Sequence, residues 1–231
     1  MAGARVNAGR ENALGPCLAP GPGANVEAMA DDLPLTRIAA SPGEADAIRA
    51  AVSVQTEMGG SRLAKLADAP GLFALLCDPL VHAPIYSLPR PLTEASVAEF
   101  IAAHLEERKA GVGLLFVRTG EGGQVMGYSD VQVWPDWRAG ELGGALHPSL
   151  HGRGAGGRGA AASFGWMFEA LGLDLICETA ALTNVATQRM LDGLGFRRMG
   201  ETLSTRPDGT RRTSLVWEIT RAEWRARHGF G

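Results

Sequence analysis

Long apolar runs are missing from this sequence. No stretch reaches the roughly 18 apolar residues that a membrane-crossing helix needs, and no N-terminal cationic segment is followed by an apolar one, so neither a spanning helix nor a signal peptide is expected. Cysteine is scarce: Cys17, Cys77 and Cys177 are odd in number, far apart and not in metal-ligand spacing, which excludes a disulfide framework and a zinc cluster and suits a reducing, cytoplasmic setting. An excess of positive charge is also missing. The formal net charge is −3, so the surface lacks the cations that non-specific nucleic-acid binding requires. Internal repeats are absent, and so is the G-x-x-x-x-G-K-[ST] loop of P-loop nucleotide-binding proteins. What remains is a chain of 231 residues, 45% hydrophobic and 20% charged, enough for one large domain with a core.

Residues 1–32 are rich in Gly, Ala, Pro and Asn, and the run from Gly15 to Gly23 breaks helix and strand alike. They are expected to form an N-terminal arm, flexible or laid along the domain, with the domain itself over 33–231. A short strand is expected near Leu33–Ala39. Ser41-Pro42-Gly43-Glu44 has the form of a helix start, and the helix should run to Val54. Further helices are expected over Gly71–Cys77, stopped by Asp78-Pro79, and from Thr93 to Lys109, where Val97, Ile101 and Leu105 share a face.

The texture then alternates. Strands are expected over Leu114–Arg118, Gln124–Trp134, Glu141–His147, Leu173–Thr179, Phe196–Leu203 and Arg211–Ile219, the last two joined by a turn at Pro207-Asp208-Gly209. Helices are expected between them, to about Leu171 and over Asn184–Leu194. The fold class is therefore α/β of the α+β kind. It has a mixed, mostly antiparallel sheet of about seven strands with helices on both faces, and one β-α-β unit whose strands should be parallel neighbours.

The informative segment runs from Leu146 to Gly159, where a strand ends, the chain turns and a helix begins among glycines. The first amides of a helix have no internal partners, and the helix dipole adds partial positive charge there. Glycines admit a phosphate to those amides, and Arg153 and Arg158 add two cations. A glycine-rich turn that only permits close packing is the bland alternative. Gly152, Gly154 and Gly157 formally match G-x-G-x-x-G, but a single β-α-β unit followed by antiparallel strands argues against a dinucleotide-dependent oxidoreductase.

Three motifs in order resemble the GNAT superfamily, closest to its ribosomal-protein N-terminal acetyltransferase branch. Glu141-Leu142-Gly143 resembles that branch's E-I-G strand. His151-Gly152-Arg153-Gly154-Ala155-Gly156 resembles its Q/R-x-x-G-x-G/A pyrophosphate loop. Thr183-Asn184-Val185-Ala186-Thr187 through Leu194-Gly195-Phe196 resembles its N-x-x-[SA] … L-G-F signature. The resemblance covers about residues 33–220. It implies an N-acetyltransferase using acetyl-CoA and no metal, with direct transfer to an amine carried by a small molecule or peptide. Family habit suggests a homodimer. Arg153, Gly154, Ala155, Gly156, Gly157 and Arg158 would hold the pyrophosphate. Leu146 and His147 would pair with the pantetheine arm, entering a splay between neighbouring strands, and Asn184 would contact it. Many relatives carry a Tyr seven residues after this Asn; here the position is Leu191. A CoA-binding regulatory domain without catalysis is the competing reading.

Amine acylation needs a base, a donor for the acetyl oxygen and a hydrogen bond for the leaving thiolate. Glu141 is the candidate base, or else a strand-end carboxylate paired with Arg138; Glu201 is the second candidate. Thr187 is the candidate donor to the thiolate, or else a helix Thr bonded to the carbonyl of residue 183. Asn184 could simply cap its helix. Trp134, Asp136 and Trp137 would face the acceptor or an oligomer contact. His147, His151 and Cys177 read as structural, and Arg221–Arg227 as a solvated basic helix.

Overall fold

The computed structural model describes residues 33–152, 154–205 and 208–229; the N-terminal arm, Arg153 and Pro207 lie outside the described residues. Helix α1 (Pro42–Val54) begins with a capping box in which Ser41 and Glu44 satisfy each other's backbone amides. The chain that follows forms a short hairpin, β1 (Glu57–Met58) and β2 (Ser61–Leu63). Gly59 and Gly60 close it with φ of 56° and 81°, the left-handed pair a tight hairpin turn demands. Helices α2 (Ala69–Leu76) and α3 (Pro79–His82) follow, the second restarted by Asp78, whose carboxylate accepts the Leu80 amide at 2.9 Å. Helix α4 (Glu94–Ala110) starts at the Thr93 cap and ends at Gly111 in the left-handed conformation.

The remaining elements are β3 (Gly113–Thr119), β4 (Val125–Trp134), β5 (Ala139–Leu146), α5 (Ala155–Ala170), β6 (Leu175–Ala181), α6 (Val185–Leu194), β7 (Arg197–Thr205), β8 (Arg211–Thr220) and α7 (Arg221–His228). They form one eight-stranded sheet in the order β1-β2-β3-β4-β5-β6-β8-β7. Every pairing is antiparallel except β5 with β6, which α5 connects.

The strand expected at Leu33–Ala39 is instead an irregular segment. Both edges of β8 are already taken by β6 and β7, so the segment crosses a sheet face, with Leu33 packed on Cys177 and Val216. The Thr36 amide donates to Glu218 Oε1 at 2.9 Å. The hairpin of β1 and β2 replaces it in the count, which gives eight strands where about seven were expected.

The two faces of the sheet differ. On one, Leu114, Phe116, Val131, Ile176 and Trp217 pack against Phe164, Met167 and Phe168 of α5 and Leu191 of α6. On the other, Leu115, Val117 and Tyr128 pack against Leu72 and Leu76 of α2 and Val97 and Ile101 of α4. Helix α7 is more than a solvated basic tail. Trp224 is buried among Phe164, Phe168 and Phe196, with ring centroids 5.9–6.5 Å away, and stacks on His228 at 3.8 Å. Trp224→Ala should therefore lower the unfolding free energy by about 3–5 kcal/mol, measured by urea denaturation. A loss under about 0.5 kcal/mol would mean that α7 is a surface appendage.

Candidate active site

The centre of the sheet is parted. Strand β5 pairs with β4 along its whole length, from Trp134↔Ala139 to Gly127↔Leu146, and β6 pairs with β8 from Leu175↔Thr220 to Ala181↔Ser214. Between β5 and β6 only Ala139↔Leu175 and Gly140↔Ile176 are paired. Beyond Gly140 the two halves of the sheet diverge. Successive residues of a strand turn their N–H and C=O to opposite sides. The His147 amide donates to Met126 of β4, so Leu142, Gly144 and Leu146 turn theirs toward the gap. The Leu142 amide donates to Glu178 Oε1 at 2.7 Å, and the Leu146 carbonyl accepts from His151 Nε2 at 2.9 Å. Both backbone groups of Gly144 and the Leu146 amide border the opening. Gly144 has φ of 139°, and a Cβ there would run into the Tyr128 carbonyl oxygen, so only glycine fits this edge.

At the end of β5 the chain turns through Pro148–Leu150, a 3-10 turn capped by His147, whose Nδ1 accepts from the Ser149 amide at 3.2 Å. His147 thus fixes the turn with its ring. Gly152 and Gly154 take φ of 73° and 69°, and α5 starts at Ala155 with no side chain capping it. The amides of Ala155, Gly156 and Gly157 open its first turn. A Cβ added at Gly152, Gly156 or Gly159 would meet nothing within 4 Å, so the approach is clear. Arg158 folds back over the turn: a Cβ added at Gly154 would lie 2.9 Å from its Nη1. Helix dipole, open amides and guanidinium converge on one spot beside the gap, which suits a polyphosphate.

Across the gap, Asn184 caps α6 with its Oδ1 on the Thr187 amide at 3.2 Å. The half-buried Thr187 Oγ1 makes no hydrogen bond among the described residues, so the expected alternative of a bond to the carbonyl of residue 183 is not formed. Leu191, further along the same helix, is fully buried in the core.

Glu141 lines the gap on the α4 side of the sheet. Its Oε1 accepts from the Thr179 amide at 3.1 Å and the Thr179 hydroxyl at 2.7 Å. Arg138 is not its partner; that guanidinium pairs with Glu44 at 2.8 Å and Asp174 at 3.1 Å. Burial raises the Glu141 pKa, the two Thr179 donors pull it back, and the Asp130 carboxylate raises it again, for a net increase. Glu201 lies elsewhere. It is exposed on the edge strand opposite Leu215, whose side chain packs on the α5 face, so it does not share the face of Glu141.

Beside Glu141 sits a buried pair that sequence reasoning did not single out. His104 of α4 has Nδ1 2.8 Å from the Phe100 carbonyl and Nε2 3.0 Å from the Asp130 carboxylate. Both neighbours are acceptors, so both ring nitrogens carry hydrogen and the ring is an imidazolium. Burial alone would lower its pKa, but Asp130 and Glu107 outweigh that and raise it to about 9. The signal was a His on the apolar face of α4, one turn after Ile101. A second unrecognised group is Glu178, 4% exposed within the apolar strand β6. Burial pushes its pKa well up, and the Glu141 charge adds to the rise.

The loop of Trp134, Asp136 and Trp137 is at the opposite end of β5 from the glycine turn. Asp136 pairs with Arg49 of α1 at 2.8 Å, Arg37 lies 5.4 Å from the Trp137 ring, and Trp134 packs with Leu33 and Cys177. Cys177 is buried, and burial followed by Glu141 and its neighbouring carboxylates raises its pKa, which keeps it an inert thiol. Among the described residues no group of three or more metal-ligating side chains occurs, and no helix is long and apolar enough to cross a membrane.

The acetyltransferase (GNAT) domain family matches residues 62–197, more than half of the chain, and the protein belongs to that family. Its fold is similar to that of ribosomal-protein-S5-alanine acetyltransferase from Vibrio fischeri, at 20% identity over 74% of this chain and 98% of that one, with a TM-score of 0.60. It is similar to RimJ of Mycobacterium smegmatis in complex with CoA-disulfide, at 21% identity over 71% and 82% with a TM-score of 0.60. Spermidine N-acetyltransferase from Vibrio cholerae, solved with CoA and spermine, is 15% identical over 71% and 96%, also at 0.60. No curated protein matches in sequence. Acetyl-CoA is the acyl donor of this family, in line with the cosubstrate expected from the motifs.

Two measurements probe the architecture of the site. Gly144→Ala should destabilise the protein by about 1–3 kcal/mol through the strained φ and the clash with Tyr128, read as a lowered urea midpoint. The His104 pKa is raised from 6.5 to about 9 on folding, so its contribution is fully present below pH 6.5 and is lost as pH rises through about 9. Unfolding free energy should fall across that window by up to about 1.4 kcal/mol per pH unit. His104→Gln should remove the slope, and an unchanged slope in that variant would show that another group titrates.

Proposed function

We propose that the protein is an acetyl-CoA-dependent N-acetyltransferase that moves an acetyl group directly to a primary amine on a protein N-terminus, an amino acid or a small amine. The observation that carries this reading is the gap between β5 and β6, which opens beside the uncapped N-terminus of α5. The gap offers strand-edge hydrogen bonds to a linear amide-bearing arm, and the helix start offers amides and Arg158 to a pyrophosphate. Ala155, Gly156, Gly157 and Arg158, with Gly154 for the turn and Arg153 beside it, are the proposed phosphate residues. Gly144 and Leu146 border the path of the arm, His147 fixes the turn at its end with both backbone groups used within the chain, and Asn184 holds the start of α6 across from them.

Bound acetyl-CoA supplies an activated thioester; the protein supplies position and proton transfer. Glu141 Oε1 is held by Thr179, which leaves Oε2 to take a proton from the incoming ammonium or amine, directly or through water. Its raised pKa makes it a stronger base than an ordinary carboxylate. The Gly144 and Leu146 amides are the donors at the gap for charge developing on the acetyl oxygen. Thr187, with its hydroxyl uncommitted, is the proposed donor to the departing sulfur. The spermidine and ribosomal-protein acetyltransferases of similar fold support an amine acceptor of this kind.

A thermal-shift panel with acetyl-CoA, CoA, NAD and ATP should show stabilisation by the first two alone, followed by thiol release on adding amines. Binding of CoA with no thiol release across peptides, amino acids and polyamines would favour a regulatory CoA-binding domain. Lack of any shift with CoA would overturn the reading. In the active protein, kcat/KM should rise with pH along an acid limb above the ordinary carboxylate range, because Glu141 must be ionised to act. Glu141→Gln should lower kcat by about 10²–10⁴ and abolish that limb, with acetyl-CoA affinity nearly unchanged.

A further inference from the structure

We infer that Glu178 is a positioning residue of the transfer site: its side-chain carboxyl replaces a backbone carbonyl at the apex of the gap and so holds the two halves of the sheet apart. The inference rests on the acetyltransferase reading and goes beyond it, to what makes the site exist. The parallel ladder of β5 and β6 begins in the ordinary way, with the Leu175 amide on the Arg138 carbonyl at 3.2 Å and the pairs Ala139↔Leu175 and Gly140↔Ile176. Continued by one more step, it would give the Leu142 amide to the Cys177 carbonyl and the Thr179 amide to the Leu142 carbonyl. Neither donor is used that way. The Leu142 amide of β5 goes to Glu178 Oε1 of β6 at 2.7 Å, and the Thr179 amide of β6 goes to Glu141 Oε1 of β5 at 3.1 Å. Each strand thus sends a carboxyl across to the other's next donor.

The two carboxyls lie on opposite faces. Glu178 shares its face with Ile176 and Ala180, which belong to the α5 core, and Glu141 lies on the face of α4. A side-chain carboxyl is longer than the backbone carbonyl it replaces, so satisfying the donors in this way forces the strands apart on both faces at once. The exchange also keeps the Leu142 amide satisfied, because a buried amide without an acceptor is destabilising by about 1–3 kcal/mol. With Glu178 truncated, that amide has one remaining acceptor within the sheet, the Cys177 carbonyl, and reaching it closes the gap from its apex. Glu178 is 4% exposed and faces an apolar core. Leucine would pack better there, so its presence calls for a polar task, and the Leu142 bond is that task.

The test is calorimetric titration of CoA into the full chain, with amide hydrogen exchange at Leu142 and Thr179. Glu178→Gln retains an acceptor of the same length and should bind CoA within about threefold of wild type. Glu178→Leu keeps the volume without the acceptor and should bind about tenfold or more weakly, while the Leu142 amide stays protected because it has moved to Cys177. Glu178→Asp reaches the amide only by drawing the strands together and should also bind about tenfold more weakly; it decides the matter if the leucine variant does not fold. Wild-type affinity in both the Leu and Asp variants, or equal loss in Gln and Leu, would overturn the inference. Failure of the wild-type chain to bind CoA would sink the acetyltransferase reading instead, so the two are distinguished by the first titration.

Discussion

The parting of β5 from β6 after Gly140 is the constraint on which the rest of the site depends. An eight-stranded sheet gains by zipping every rung, and the pairs β4–β5 and β6–β8 are complete. The central pair stops after two rungs. Three local features hold it there. Gly144 sits at a φ that side chains avoid, pressed against the Tyr128 carbonyl. Glu141 and Glu178 take the next two donors from opposite sides. The chain then leaves β5 through the His147-capped turn, so that the start of α5 lies at the open end of the gap. The proposed phosphate site and the strand gap are neighbours because the same strand ends in one and edges the other.

The two faces of the sheet divide the work. The α5 face is a continuous apolar core, from Ile48 to Trp224, interrupted at the gap by Glu178. The α4 face carries Asp130, Glu141, Thr179 and the His104 imidazolium around the same gap. A buried ion pair is weak evidence for stability, since desolvation offsets much of the attraction. Its geometric effect is clearer. His104 bridges the Phe100 carbonyl of α4 to Asp130 of β4, and Asp130 in turn raises the pKa of Glu141. The proposed base is therefore tuned by Asp130, which a residue of α4 holds in place.

Much of this was legible in the residues. The strand, glycine turn and helix order from Glu141 to Phe196 located the parallel pair and the glycine turn between them, because glycines and caps act locally. The helix starts at Ser41 and Thr93 were legible for the same reason. What local signals could not supply was competition for edges. Leu33–Ala39 has strand-like composition, but both edges of β8, the strand it packs on, are already paired. Gly59-Gly60 closes a hairpin whose strands are too short to show alternation. Glu178 looked like any charge beside a Cys and a Thr, and its meaning lies in a bond to Leu142, 36 residues away. Trp224 was hidden within a run of arginines, although its burial is what fixes α7.

Leu191, where many relatives carry Tyr, bears on how much help the leaving group needs. A thiol of ordinary acidity has a pKa near 8.5, roughly two units below that of a lysine-type ammonium at about 10.4. At neutral pH a thiolate can therefore depart with only a hydrogen bond, whereas an alkyl ammonium must first lose a proton to become a nucleophile. The more demanding proton transfer is on the amine side, and the proposed base for it, Glu141, is the group set among the Thr179 donors and the Asp130–His104 pair. On the proposed mechanism, a core leucine at the Tyr position removes help from the easier half of the reaction and leaves the harder half to Glu141. The acceptor's own acidity then matters: an α-amino group, with a pKa near 7.7–8.0, asks less of the proposed base than an alkylamine does.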